Sequence, residues 1–460
     1  MTTVAVIGGG IAGLSAGEAL QRHLPGATVR VLEAESSPGG KIATRAVDGF
    51  VVETGPHGFL DKEPLMGALV DRLGLTDELV PADESSAIRY VFRQGKLRAL
   101  PTSPPAFLTS DILPFRARMR VLEEPFISSV AENEESVWQF AARRLGEGAA
   151  DVLIDAFVTG IYGGDPKQLS LPAAFPRLAE LEEEYGSLIK AQRALAKARK
   201  AAGQAAPGAG SPGGTLYSFG RGLSVVIDSL ARVVNPDCNY RVEALTHDGV
   251  GFEIRGTGEP VKADAVVITA PAFVASELTR SIDPRSAQRL TDIPYVPVSV
   301  VVQGFDAASI KRDLKGFGFL VPGQEKREIL GSIWASSVFV EHAPDGTVML
   351  RTLMGGARRP ELAEGDDETL CARAREELVA LMGIAPDAQP TMQQVIRWDR
   401  AIPQYTLGHH DRVRAADALE SQAPGLFFGG NAYRGVAMIQ TVKDAERIAE
   451  KVAAFVTARA

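Results

Sequence analysis

The first residues with a chemical reading lie near the amino terminus. Gly8-Gly9-Gly10-Ile11-Ala12-Gly13 spaces Gly8, Gly10 and Gly13 as G-x-G-x-x-G. Glycine at the first position permits a tight turn. At the second it lets main chain approach a pyrophosphate, and at the third it lets a helix pack closely on a strand. Glu33 follows twenty residues after Gly13 and can accept hydrogen bonds from ribose hydroxyls. A second pair, Gly39-Gly40, sits within Glu33-Ala34-Glu35-Ser36-Ser37-Pro38-Gly39-Gly40-Lys41 and allows another close approach along an extended cofactor.

The elements that must position these residues are legible around them. Thr3 to Ile7 is a β-branched run bounded by glycine, which reads as a buried strand. Ile11 to Leu24 carries Leu14, Ala16, Leu20 and Leu24 at helical spacing, and Thr28 to Leu32 reads as a second strand ending at Glu33. Strand, glycine turn, helix, strand and acid make a dinucleotide-binding unit, with unpaired N–H groups at the helix start aimed at phosphates. A glycine turn without a ligand is the plainer alternative, and the agreement of every flanking element decides against it. The acid favours a free 2′-hydroxyl over a 2′-phosphate.

Composition limits the other classes. The chain has 460 residues, 45% of them apolar and 23% charged, so a disordered state is excluded as the main one. Lys and Arg total 49 against 57 Asp and Glu, a formal charge of −8, which argues against nucleic acid as partner. Cys238 and Cys371 make no disulfide framework, which suits a reducing compartment. The apolar run Ala265 to Ala275 is interrupted by Thr269 and Pro271 and is short of the roughly eighteen residues of a spanning helix. Val4 to Leu20 lacks a basic leader, so no signal peptide is expected. A cytoplasmic protein is expected, peripheral on the inner face of the cell membrane at most.

Further along, Ile42 to Glu53 reads as a hairpin turning at Asp48-Gly49, and Tyr90 to Leu100 as another turning at Gln94-Gly95. From Ser103 to about Lys200 the pattern is helical. Phe107, Leu108, Ile112, Leu113, Phe115, Met119, Val121, Leu122 and Phe126 are interleaved with Arg116, Arg118 and Arg120. The core face of a helical subdomain is the favoured reading there, with a membrane-interface segment as its rival. Ala191 to Gly214 reads as a solvated helix followed by a mobile Ala/Gly/Pro loop. Tyr240 to Leu245, Ala265 to Thr269, Val298 to Val302 and Gly425 to Asn431 read as strands, and Ala437 to Val456 as a closing helix. The N-terminal unit is thus completed from the middle and the end of the chain.

None of the six histidines sits at a ligand spacing, and no HExxH, CxxC or GKS/T motif is present. No metal site is expected. The glycine pair after Glu33 is similar to the flavin amine oxidase superfamily, where it continues the FAD motif. Four further segments resemble the protoporphyrinogen oxidase family. They are Gly160-Ile161-Tyr162-Gly163-Gly164-Asp165 with Leu169-Ser170, Gly316 to Pro322, Ile402-Pro403-Gln404-Tyr405-Thr406-Leu407-Gly408-His409, and Asn431 to Ala437. The resemblance runs through essentially the whole chain.

That resemblance implies an α/β (α+β) architecture with a discontinuous Rossmann-like FAD domain (1–72, 215–285 and 396–460). It also implies a mixed-sheet substrate domain (73–85 and 286–395) and a helical domain of membrane-contacting type (86–214). It implies FAD contacts from Gly8, Gly9, Gly10, Ile11, Ala12, Gly13, Leu14, Glu33, Ala34 and Lys41. Gly55, Pro56, His57, Gly58, Val242, Trp398, Val436, Ala437 and Met438 complete that set. Arg89 matches the family's propionate-pairing arginine, and Phe157, Gly160, Phe317, Gly318, Leu320 and Leu353 match the walls of an apolar slot. His57 departs from the polar asparagine or arginine of many relatives, and Met438 to Thr441 departs from the usual turn. Ala432 stands where covalent amine oxidases carry cysteine, so FAD is expected to be non-covalent. The implied reaction takes six electrons from protoporphyrinogen IX in three flavin cycles, with hydride passing to flavin N5, no catalytic side chain, and dioxygen reduced to hydrogen peroxide. A homodimer and hand-off to ferrochelatase are further implications. Coproporphyrinogen III oxidation, an amine or polyene oxidase, and a non-enzymatic escort module remain the alternatives.

Overall fold

Apolar side chains leave both faces of the first strand, so the chain must cover both. A computed structural model describes residues 2–61, 64–128, 131–201 and 214–459. In chain order the strands that position the site begin with β1 (Thr3–Ile7), β2 (Thr28–Leu32), β3 (Thr44–Val47), β4 (Phe50–Glu53), β5 (Arg89–Arg93), β6 (Lys96–Ala99) and β7 (Ala265–Ile268). They continue with β8 (Tyr295–Asp306), β9 (Gly318–Leu320), β10 (Gly331–Trp334), β11 (Thr347–Gly355), β12 (Met392–Pro403) and β13 (Leu426–Phe428). The helices are α1 (Ile11–His23), α2 (Val137–Leu145), α3 (Asp155–Tyr162), α4 (Leu188–Ala201), α5 (Asp367–Met382), α6 (His409–Gln422) and α7 (Met438–Arg459).

A four-stranded sheet has the order β13-β7-β1-β2, and every pair in it is parallel. Val4 and Val6 of β1 pack with Leu14, Leu20 and Val267 on one face, under α1 and α7. Ala5 and Ile7 pack with Val266, Ile268 and Leu419 of α6 on the other. The strands come from three distant stretches of chain, as the apolar runs predicted.

A second sheet has seven strands in the order β12-β8-β11-β10-β9-β5-β6. One face buries Phe92, Val301, Phe319, Trp334 and Leu350 against Leu370, Ala374 and Leu378 of α5. The other carries Val298, Val300, Val302, Leu353, Ile396 and Trp398, and meets Phe50 and Val52 of β4. The hairpin β3–β4 therefore joins the two sheets. The β5–β6 hairpin, read as a hairpin in the sequence and placed there within the helical domain 86–214, pairs in parallel with β9 through β5 and so forms part of the large sheet. Its alternating Val91 and Phe92 each find a sheet face to bury on, which a helix here would not allow. The division expected at residue 396 likewise falls inside β12.

The helical stretch divides the apolar residues that the sequence assigned to core. Ile112, Leu113, Ala149, Val152 and Ala156 pack on Val91 and Leu320. Phe115 and Phe126 instead stay 64% and 85% exposed, and Leu108 and Leu122 are exposed beside them. No helix among the described residues is long and apolar enough to cross a membrane. The Ala/Gly/Pro-rich stretch 202–213, expected as a mobile loop, lies outside the described residues.

A buried ion pair pins this region. Arg144 of α2 donates to Glu124 from Nη2 at 2.6 Å and from Nε at 3.0 Å, and both side chains are fully buried. Glu124 also accepts from Ser187 Oγ at 2.5 Å and from the Leu188 and Ile189 N–H groups at 2.8 and 3.1 Å, which caps α4. Arg144→Met leaves that carboxylate buried without its cation. It is expected to destabilise the protein by about 3–5 kcal/mol, read from urea unfolding followed by tryptophan fluorescence; a loss below 1 kcal/mol would contradict the assigned role.

Candidate cofactor cradle and substrate slot

A Cβ on Gly13 would lie 1.8 Å from the Gly8 carbonyl oxygen, so only glycine lets α1 begin this close to β1. The Gly8 N–H donates to Leu32 O at 2.9 Å, and the Gly39 N–H donates to Gly9 O at 2.8 Å. A Cβ on Gly40 would stand 3.6 Å from Gly10 Cα. The two glycine pairs thus lie against each other, with Ile11, Ala12 and Leu14 in the first turns of α1. Glu33 is buried, and its oxygens accept from the Gly9 N–H at 2.6 Å and the Glu35 N–H at 2.8 Å. Each oxygen retains a lone pair for a hydroxyl donor. The Tyr240 N–H donates to Glu33 O at 2.8 Å, which brings the chain leading into Val242 alongside Glu33, Ala34 and Glu35.

The cradle continues through Lys41 and Gly55. A Cβ on Gly55 would meet Lys41 O at 2.1 Å. Lys41 Nζ stands 5.9 Å from the Trp398 ring, and burial lowers its pKa. Three successive carbonyls here are held by side chains of the large sheet. Arg351 Nη2 donates to Glu53 O at 3.0 Å and to Gly55 O at 2.8 Å, and Trp398 Nε1 donates to Thr54 O at 2.9 Å. Sequence reasoning missed Arg351. The available signal was a lone arginine inside the apolar run of β11, two residues before Leu353 and so on the same sheet face.

Burial shifts the charges around this clamp. It lowers the Arg351 pKa to about 10, and the nearby Glu53 pulls the other way. It raises Glu53 to about 7, although the Leu223 N–H at 2.7 Å and Thr44 Oγ1 at 3.0 Å donate to its carboxylate. His57 is buried between Phe339 and His342, at ring distances of 5.2 and 5.8 Å. Burial first, then the Arg351 charge, hold its pKa well below the usual value, so the ring is neutral. The Ala335 main chain lies near the ring without a well-formed hydrogen bond, and neither ring nitrogen is satisfied. Arg351 Nε is likewise buried without a partner. Pro56 is half-buried, and Gly58 packs on Tyr217, where a Cβ would approach its carbonyl oxygen to 2.7 Å.

The end of the chain closes on the same region. A Cβ on Gly430 would lie 3.7 Å from Ala12 Cβ, and Met438 packs in the cluster that holds Leu14. Val436 and Ala437 lead into α7, so α1 and α7 begin near one another. Glycine-lined main chain, a ribose-competent acid and unsatisfied buried nitrogens fit an extended dinucleotide such as FAD. The residues named for the cofactor fall on stretches in mutual contact: Gly8 to Lys41, Gly55 beside Lys41, Trp398 near Lys41, and Met438 beside Leu14.

The slot residues also converge. Leu353 opposes Gly331, Gly331 opposes Leu320, and Gly318 opposes Arg89, so these side chains share the face that carries Arg351 and Trp398. Across from them, a Cβ on Gly160 would approach Leu320 Cδ1 to 2.9 Å. Phe157 and Ile161, on the same face of α3, are exposed, and Phe157 packs on Phe175 with ring centroids 5.1 Å apart. Arg89 holds its guanidinium 5.3 Å from the Phe317 ring centre. Phe317 precedes β9, where its N–H donates to Ile88 O at 2.8 Å and its carbonyl accepts from the Trp334 N–H at 2.9 Å.

Residues 11–453 match the family described as flavin containing amine oxidoreductase. A chloroplastic protoporphyrinogen oxidase from Nicotiana tabacum is 32% identical over 98% of this chain and 85% of its own. A coproporphyrinogen III oxidase from Propionibacterium freudenreichii is 31% identical over 97% of this chain and 90% of its own. Among solved structures, a candidate protoporphyrinogen oxidase from Exiguobacterium sp. 255-15 superposes with a TM-score of 0.84 at 24% identity, covering 98% of this chain and 99% of that one.

Because the Glu53 pKa is raised on folding to about 7, the folded state holds this proton more tightly than the unfolded chain. The stability it contributes is fully present below the ordinary carboxylate pKa and is lost as pH rises through about 7. Glu53→Gln should therefore raise the melting temperature relative to the native chain at pH 8 more than at pH 5. An equal shift at both pH values, in scanning fluorimetry, would count against a neutral Glu53.

Proposed function

The chain belongs to the flavin containing amine oxidoreductase family, and on that premise we propose that it uses FAD to oxidise a porphyrinogen, protoporphyrinogen IX in preference to coproporphyrinogen III. The observation that carries this reading is the single sheet face on which Arg89, Gly318, Leu320 and Leu353 stand beside the side chains that clamp the cradle. When bound, FAD supplies two-electron oxidation at a carbon–hydrogen bond.

The residues of the chain supply position and exclusion of water. Phe157, Gly160, Leu320 and Leu353 offer an apolar wall for a flat macrocycle, and Phe317 with Arg89 forms its polar end. The planar fork of Arg89 suits a propionate. Arg351 is engaged by main-chain carbonyls and Arg358 by Asp155 and Thr159. The preference for the substrate with two propionates over the one with four rests on the sequence resemblance. Among the described residues of this sheet face no side chain is set to act as a general base, so orientation against the cofactor carries the acceleration. Non-covalent FAD, dioxygen as acceptor with release of hydrogen peroxide, a homodimer and hand-off to ferrochelatase complete the proposal and rest on the sequence resemblance.

The proposed location is the inner face of the cell membrane, reached from the cytoplasm. Its support is the exposed group Phe115, Phe126, Leu108 and Leu122 with the guanidinium of Arg118 5.9 Å from the Phe115 ring centre. Aromatic and aliphatic side chains flanked by arginines suit the headgroup region of an anionic bilayer.

Mixing the flavoprotein with protoporphyrinogen IX without oxygen should bleach the flavin absorbance, and an unbleached flavin would overturn the assignment. Arg89→Ala should raise KM for protoporphyrinogen about ten- to hundredfold, in proportion to a lost charged hydrogen bond, with kcat little changed. Equal turnover of both porphyrinogens, followed by porphyrin fluorescence, would remove the preference. In vesicle flotation the native chain should rise with anionic liposomes, whereas Phe115→Glu with Phe126→Glu should stay at the bottom; co-flotation of both would contradict the membrane contact.

A further inference from the structure

The segment Ile402 to His409 stands out in the sequence, and the slot and cradle described above leave it without a task. It leaves β12 and runs between the two halves of the site. Gln404 is buried and donates from Nε2 to Tyr162 O at 2.8 Å, at the last turn of α3. Gly164 packs against the same side chain, since a Cβ there would meet Gln404 Oε1 at 2.6 Å. Tyr405, the next residue, reaches the other way. Its Oη donates to Asn431 O and accepts from the Gly435 N–H, both at 2.7 Å.

The phenol thus closes the loop that leads into Val436 and α7. Its ring stacks on His409 with centroids 4.0 Å apart, and His409 Nε2 stands 3.3 Å from Tyr433 O within the same loop. The Tyr405 N-terminal neighbour holds the helix that presents Gly160, and Tyr405 holds the loop that presents Val436. Val436 itself packs in the cluster of Val158, Tyr162, Leu169 and Tyr405, so wall and loop share one core. The Ser170 N–H donates to Tyr405 O at 2.8 Å and ties the strut to the chain after α3.

We propose that Gln404 and Tyr405 are positioning residues: Gln404 sets the slot wall and Tyr405 sets the start of α7, so that substrate and flavin meet at a fixed separation. The inference rests on the reading of the site as a flavin cradle facing a porphyrinogen slot. The two residues predict different readouts. The start of α7 carries partial positive charge that favours a reduced, anionic flavin. Tyr405→Phe keeps the ring and removes both hydrogen bonds to the loop. It should move the midpoint potential of bound FAD to a more negative value and lower kcat about tenfold, leaving KM unchanged. Gln404→Met keeps the volume and releases Tyr162. It should raise KM severalfold and leave the potential unchanged.

Potentials come from spectroelectrochemical titration of the holoenzyme, and kinetics from porphyrin fluorescence. Loss of FAD affinity in Tyr405→Phe, at an unchanged melting temperature of the protein stripped of FAD, also supports the proposal. An unchanged potential together with unchanged FAD affinity overturns it, as do equal effects of the two variants on kcat and KM. Should Tyr405→Phe fail to fold, the KM of Gln404→Met decides. If the native chain turns over no porphyrinogen, the function reading fails, and the potential of Tyr405→Phe still decides the role of the strut.

Discussion

Three consecutive carbonyls, those of Glu53, Thr54 and Gly55, accept hydrogen bonds from Arg351 and Trp398 across the joint between the two sheets. Everything proposed for this chain depends on that joint. The glycine turn, Glu33 and the second glycine pair belong to the parallel sheet, while Arg89, Leu320 and Leu353 belong to the large one. A cofactor held by one sheet acts on a substrate held by the other only if the two are kept in register. Main-chain carbonyls suit this task because they have no rotamers to lose.

The clamp comes at an electrostatic cost. Arg351 is 2% exposed, and a guanidinium leaves water at a penalty of several kcal/mol unless its protons are satisfied. Two carbonyl bonds, and the charge of Glu53 once pH exceeds about 7, offset part of that, and Nε still lacks a partner. His57 and His342 sit close by with burial holding both below their usual pKa. A neutral imidazole beside a buried cation avoids like-charge repulsion. An acceptor from the cofactor is the natural partner for nitrogens that the folded chain leaves unsatisfied.

The helical stretch shows the opposite economy. Its inner side chains complete the core over β5 and β9, whereas Phe115 and Phe126 remain in water. These exposed apolar side chains beside arginines are what the proposed membrane contact rests on. The same stretch supplies α3, so the slot wall is attached to the part of the molecule that carries this surface.

The αβ unit with its glycine turn was legible in the residues because its signals are local: β-branched runs of period two, glycines at set spacing and an acid at the strand end. The return of the chain to that sheet from the middle and the end was legible for the same reason, as Ala265 to Ile268 and Leu426 to Phe428 are continuous apolar runs. Periodicity read the Arg89–Ala99 hairpin correctly, yet its partner β9 lies more than two hundred residues away, and no local pattern announces a parallel pairing over that distance. The apolar residues from Phe107 to Phe126 have one composition and two fates, which only packing separates. Arg351 was passed over because an arginine in a strand reads as surface until the strand's place in the sheet is known. Local chemistry therefore determined that this chain could hold a dinucleotide, and the family resemblance that it is FAD. The choice of facing side chains, and the strut of Gln404 and Tyr405 between wall and loop, were decided by tertiary structure, because contacts between remote residues depend on distances that spacing along a chain does not contain.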